Sequence, residues 1–173
     1  MLVRNRVRLR AMVTTDAEAI FKFYEEGIQT GHAPFEAEVP DWYTWDFRHL
    51  TQCRWLAEEE HTVLGWGALT QGSPGKVYLG VAEVSIYVSL NAQNQDIGSI
   101  LLERLISSSE ESSFWTLQAQ VFPENKISIY VHEKHSFRKS STRRQLALMS
   151  YGSMAGEWRD PVLMERRSKI AGI

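Results

Sequence analysis

The stretch Val81–Leu102, VAEVSIYVSLNAQNQDIGSILL, decides the fold. Val84, Ile86 and Val88 alternate with Glu83, Ser85 and Tyr87, the period-two pattern of a strand with two unlike faces. A polar turn then leads into a helix opening at Ile97-Gly98. A strand that delivers the chain to a helix N-terminus leaves a cluster of backbone N–H groups without intrahelical partners, and such a cluster can hold a phosphate. Glu83 is a carboxylate inside the strand, on the face opposite the purely apolar one.

Val121–Phe137, VFPENKISIYVHEKHSF, repeats the strand-turn-helix plan. Asn125, Ser128 and His132 fall at i, i+3 and i+7 of that helix and form one polar stripe. The two stretches together suggest a ligand with phosphates, a cleft and two titratable groups.

Outward from this centre, Val7–Met12 alternates apolar and basic residues as a half-exposed strand does, and Thr14-Thr15-Asp16 supplies N-cap candidates for a helix to about Glu26. Ile20, Phe21 and Tyr24 form its apolar stripe. Thr30–Asp41, with two prolines, predicts a loop before a helical Trp42–Leu50 segment. Arg54–Glu58 and Val63–Thr70 predict an antiparallel pair. Beyond the central strand and helix come a strand at Trp115–Phe122, the helix Asn125–His135, and strands near Arg138–Met149 and Arg159–Glu165. The sum is a single α+β domain over residues 1–173 with a central, mixed but largely antiparallel sheet flanked by helices.

Composition narrows the function classes. A chain of 173 residues holds one domain with a real core, and 43% hydrophobic and 11% aromatic content excludes disordered composition. A net charge of -2 gives no electrostatic reason to bind nucleic acid or an anionic membrane, so a small, locally recruited ligand is the expectation. Cys53 is the single cysteine, which rules out an intrachain disulfide and a cysteine zinc cluster. The opening MLVRNRVRLRAMVTTDAE has no apolar signal-peptide core, and no run of about 18 apolar residues is present to cross a bilayer. Cytoplasmic location is the expectation. No HExxH occurs among the five histidines, and no metal is expected.

Each candidate has a bland alternative. Glu83 alone could be a solvated strand carboxylate; in a cleft it could act as general base for a protonated amine. Asn125 could cap its helix, with Ser128 exposed and His132 a surface imidazole; alternatively the amide holds a ligand and His132 moves protons near neutral pH. Asp96 could be an ordinary N-cap, and a carboxylate there would repel a bound pyrophosphate.

Taken jointly, VRLRAM, IQTGHAPFEAEVPDW, AEVSIYV, WTLQAQVFPEN, SIYVHEKHSFR and GEWRDPVLMERR, in this order from end to end, resemble the GCN5-related N-acetyltransferases (GNAT), and more closely their phosphinothricin and methionine-sulfoximine acetyltransferase branch. The resemblance implies two neighbouring strands that splay apart, with acetyl-CoA in the gap and its pantetheine along Ile86, Tyr87 and Val88. It also implies that the pyrophosphate rests on the amides of Gln93, Asn94, Gln95, Asp96, Ile97, Gly98 and Ser99, following a Q/R-x-x-G-x-G/A motif. Gln93 and Gly98 fit that motif; Asp96 replaces its first glycine, and Asn94 stands where close relatives also tend to have glycine.

By the same resemblance Glu83 receives the ammonium proton, His132 acts on the leaving thiolate and can share acid/base duty, and Asn125 contacts the cofactor with Ser128 beside it. Phe35 and Glu36 match the wall of the amino-acid site. Lys76 is the one cation near the loop where the branch usually places arginines for a substrate carboxylate. Ser136 stands where the HEKHGF-type segment has glycine, a position permissive for positive φ. The implied activity is acetyl transfer to the primary amine of a small amino-acid-like substrate of the phosphinothricin, methionine sulfoximine or methionine sulfone type, in a homodimer. The alternative is a degenerate domain that binds acyl-CoA in a regulatory role with little turnover, suggested by Asp96, Asn94 and the missing arginines. A third reading, a structural dimer module, would rest on Trp42, Trp45 and Trp158 as surface aromatics.

Overall fold

A computed structural model of the chain describes residues 6–31 and 38–173. Among the described residues nine strands and four α-helices follow one another: β1 (Arg8–Ala11), α1 (Ala17–Thr30), α2 (Trp42–Arg48), β2 (His49–Glu59), β3 (Thr62–Gln71), β4 (Val81–Val88), α3 (Ile97–Glu111), β5 (Thr116–Val121), α4 (Lys126–Lys134), β6 (Arg138–Thr142), β7 (Ala147–Leu148), β8 (Trp158–Arg159) and β9 (Val162–Arg167). Seven strands make one sheet in the order β1-β2-β3-β4-β5-β9-β6, and β7 pairs with β8 in a separate ribbon. Every pairing in the large sheet is antiparallel except β4 with β5. This is the mixed α+β architecture that the pattern predicts.

Helices cover both faces. On one, Ala82 and Val84 of β4 and Leu117, Ala119 and Val121 of β5 pack with Leu102 and Leu105 of α3, Ile129 of α4, and Phe137. On the other, Ile20, Phe23 and Tyr24 of α1 and Trp45 of α2 pack over Leu56, Trp66 and Ala68. Tyr87 joins this second cluster, stacked between Tyr24 at 4.8 Å and Trp66 at 4.6 Å. Trp45 is fully buried, and Trp42 stacks on it at 5.3 Å. Two of the three tryptophans read as surface aromatics therefore build the core, where their large apolar area is worth most.

The element boundaries differ where tertiary partners override local signals. Helix α1 runs on past Glu26 and Gly27 to stop at Gly31, whose φ of 68° is the left-handed conformation that ends helices. Asp16 gives no side-chain cap to α1. Its carboxylate instead accepts from the Val13 N–H at 2.8 Å and from both arms of Arg10 at 2.7 and 2.8 Å, and Arg10 also reaches Glu58 at 2.7 Å. The fork ties β1, β2 and the start of α1 together and holds the Asp16 carboxyl below its ordinary range. Helix α2 ends at Arg48 because His49 and Leu50, read as helical, enter β2 with a register shift between His49 and Arg54.

Candidate active site

The parallel pairing of β4 and β5 lasts for three rungs, Val81 with Thr116, Ala82 with Leu117, and Glu83 with Gln118. β4 runs on to Val88 and β5 to Val121, with no further rung between them. Each strand keeps its other neighbour, β3 through Val88 and Gly65, and β9 through Val121 and Val162. The sheet therefore opens into a gap after Glu83. Gly80 sets the closed end: its carbonyl accepts from the N–H groups of Trp115 and Thr116, and a Cβ there would lie 2.0 Å from the Trp115 ring. Only glycine lets the indole sit against the start of β4.

Glu83 occupies the last rung, half-buried, on the face that Tyr87 shows to be the α1 side. Burial raises its pKa, while a hydrogen bond from Gln120 and the charge of Arg143 pull the other way. Neither partner stands out in the sequence. Alternation in WTLQAQV places Gln118 and Gln120 on one face, whereas Arg143 is distant in sequence and no local pattern links it to Glu83.

His132 comes from the opposite face. It is buried in α4, edge-on to Phe137 at 4.9 Å, so it is not the surface imidazole of the bland alternative. Its Nδ1 donates to the Ser128 carbonyl oxygen at 2.8 Å, with the Ser128 hydroxyl 3.4 Å away. Since a carbonyl oxygen only accepts, Nδ1 carries the proton and the neutral ring presents Nε2 as an acceptor. Nε2 is buried without a partner among the described residues, and burial lowers the pKa of the ring. Neutral His132 can receive a proton or a hydrogen bond at Nε2 but has none to give there. No described contact joins Glu83 to His132; the strand gap lies between the two faces they occupy.

The turn before α3 has the backbone that the motif requires. Asn94 and Asp96, standing at glycine positions, have φ of 59° and 62°. Asp96 occupies the N-cap position of α3 without a side-chain cap hydrogen bond, so the capping alternative falls. Its carboxylate is exposed and lies 3.5 Å from Lys134 Nζ, which offsets its charge at the helix end. Ile97 is core, and a Cβ on Gly98 would meet only Val88, at 3.7 Å, which leaves the backbone open to close approach. Ser99 Oγ is 2.7 Å from His135 Nε2 and pins α3 to α4. Asn125 caps α4, its Oδ1 accepting from the Ser128 N–H at 3.1 Å, and Gln95 donates to the Asn91 carbonyl at 3.1 Å.

A parallel strand pair that parts beside a carboxylate, with a left-handed turn and a helix N-terminus at its mouth, is a specific arrangement. The pattern of the acetyltransferase (GNAT) family matches residues 17–137, well over half of the chain. The chain belongs to that family. Among relatives of this GNAT protein, a phosphinothricin N-acetyltransferase from Alcaligenes faecalis is 29% identical over 175 residues, covering 95% of this chain and 84% of the relative. Another, from Streptomyces viridochromogenes, is 26% identical and covers 94% of this chain and 88% of its own. The crystal structure of a phosphinothricin acetyltransferase from Sinorhizobium meliloti in complex with acetyl-CoA superposes with a TM-score of 0.84 at 22% identity, covering 96% and 91% of the two chains.

In this GNAT chain the gap opens after Glu83, and the α3 N-terminus lies against Val88 at the far end of the same strand. The expected acetyl-CoA contacts at Ile86, Tyr87 and Val88 fall on the strand that borders the gap, and those at Gln93–Ser99 on the turn. Lys76 is exposed and is not among the charges acting on Glu83. Phe35 and Glu36 lie outside the described residues. Among the described residues no group of three or more His, Cys, Asp and Glu side chains could hold a metal, and no helix is long and apolar enough to cross a membrane.

Proposed function

We propose that this GNAT protein transfers an acetyl group from acetyl-CoA to the primary amine of a small amino-acid-like acceptor. The observation that carries the reading is Glu83, half-buried with a raised pKa, on the last rung before the strands part. An ammonium is not a nucleophile, so a base must take one proton before nitrogen attacks the thioester carbon. A carboxyl whose pKa sits above the ordinary range is a better base for that task than an exposed one.

Carbon–nitrogen bond formation is followed by cleavage of the carbon–sulfur bond, and the departing thiolate takes up the proton that the nitrogen sheds on becoming an amide. Backbone N–H groups of β4 facing the gap polarise the thioester carbonyl. The α3 N-terminus holds the pyrophosphate through amides that the left-handed Asn94 and Asp96 turn outward. Neutral His132 has no proton at Nε2 to give the thiolate unless it first receives one there. Holding both reactants in one gap supplies much of the acceleration.

The test is a screen for CoA release over amino acids and their sulfoximine, sulfone and phosphinate analogues, beside calorimetric titration with acetyl-CoA. Binding with release for one of these classes is the expected result. Binding without release across the panel would favour the regulatory alternative, which Asn94 and Asp96 support less now that both keep the glycine-like backbone.

A further inference from the structure

The face of the sheet that carries Glu83 is roofed unevenly. Helices α1 and α2 pack over β2, β3 and β4, while the same face of β5, β9 and β6 carries a largely polar strip in which Leu163 is the apolar member. Register orders that strip. Glu83 is level with Gln118; two residues along β5, Gln120 is level with Leu163 of β9, and Leu163 is level with Ser141 of β6. The next residue of β6 on this face is Arg143, because its N–H donates to Pro161 at 2.9 Å and continues the ladder of Thr142 with Val162. One direction across the strip thus runs from a carboxylate through two side-chain amides, then Leu163 and the Ser141 hydroxyl, to a guanidinium.

Other cations here are committed. Arg138 pairs with Glu165, Arg159 with Glu124 at 2.6 Å, and Arg167 donates to the main-chain oxygens of Trp115, Ser168 and Ala171. Arg143 is exposed and in no ion pair with a described residue. Its charge is nevertheless close enough to favour the ionised form of Glu83, which neither Lys76 nor Arg144 does.

Resting on the acetyl-transfer reading above, we infer that Arg143 binds the anionic group of the acceptor, so that the substrate is a zwitterion spanning from Glu83 to the end of β6. The chemistry fits at both ends. An acceptor ammonium meets the carboxylate that must deprotonate it, and a carboxylate or phosphinate meets a planar fork that offers two parallel N–H donors. Arg143 supplies from the C-terminal part of the chain the charge that the loop before β4, with Lys76 as its cation, does not. Gln118 and Gln120 fill the interval with groups that can donate or accept. Uncharged amines lack the second anchor and are selected against.

The experiment compares methionine sulfone with its α-carboxamide as acceptors for the full chain, using wild type, Arg143→Gln, Arg143→Lys and, as a neighbouring control, Arg144→Gln. Wild type is expected to favour the acid in kcat/KM. Arg143→Gln should raise KM for the acid about 10- to 100-fold, the loss of one charge-assisted pair, and leave KM for the amide and acetyl-CoA affinity unchanged. Arg143→Lys should fall between, and Arg144→Gln should match wild type. An acid-to-amide ratio that stays within twofold in Arg143→Gln would overturn the assignment and leave acetyl transfer standing. Failure of wild type to release CoA with either acceptor and with every amine of the broader screen would remove the transferase reading, and this inference with it.

Discussion

Arg159 donates to the main-chain oxygen of Gly31 at 2.6 Å across 128 residues of sequence, and its other arm reaches Glu124 at 2.6 Å. The guanidinium also lies 3.6 Å over the Phe122 ring. One buried side chain of β8 therefore joins the end of α1, the segment that follows β5 and the approach to α4. Arg159→Met should lower stability by about 2–3 kcal/mol, since hydrogen bonds to a buried charge are among the stronger ones. Urea denaturation measures that loss; a midpoint unchanged from wild type would mean that the tie carries no load.

Glu83→Gln should reduce turnover about 100- to 10,000-fold while acetyl-CoA affinity stays put. Stability should move the opposite way. The folded pKa of Glu83 lies above its unfolded value, so its favourable contribution is complete below the ordinary carboxylate pKa and is lost as pH rises through the folded value. The variant should thus be more resistant to urea than wild type at neutral pH and indistinguishable from it in acid. In wild type, kcat/KM should climb with pH through a value higher than that of an exposed glutamate.

His49 is buried between Trp45, stacked at 4.1 Å, and Trp66, with Nδ1 donating to the Trp45 carbonyl oxygen at 2.7 Å. Burial is the main reason that its pKa falls to about 4. Because the folded value is depressed below the unfolded one, stability is complete above pH 6.5 and is lost as pH drops toward 4. The full difference corresponds to roughly 3 kcal/mol. Unfolding free energy measured from pH 7 to 4 should show this slope, with buried His132 adding in the same direction. His49→Asn, which keeps a donor near the Trp45 carbonyl, should flatten it.

Ser136 ends α4 with φ at 66°, its N–H on the Glu133 carbonyl and the Phe137 N–H on the His132 carbonyl, both at 3.0 Å. This is a helix stop that glycine adopts without strain. Ser136→Gly should stabilise the protein by about 1 kcal/mol, visible as a rise in melting temperature. At the other left-handed site, Asp96→Gly should tighten acetyl-CoA binding, and Lys134→Gln, which leaves the Asp96 charge unpaired at the helix end, should weaken it. Opposite signs in calorimetry are the check.

The strand Val81–Val88 is legible residue for residue in the sequence because both of its faces carry a clean alternation, and α3 is legible from the turn that opens it. The start of β2 is not. His49 and Leu50 look like the tail of a helix, and only pairing with β3 and burial of His49 among tryptophans make them extended. Site residues divide along the same line. Strand period sets the face that Glu83 takes and the family resemblance its role, whereas Arg143 is brought toward that face only through the sheet order β4-β5-β9-β6, which no local pattern encodes. The polar stripe Asn125, Ser128 and His132 was visible, but not its direction, since burial of the ring depends on Phe137 closing over it.

Three rungs fasten one half of the large sheet to the other, and beyond them β4 and β5 make no further rung with each other among the described residues. The protein thus carries a seam stitched at one end. A guest that lies along it becomes in effect an eighth strand, and should slow amide hydrogen exchange on both banks at once, far more than at the outer strands β1 and β6.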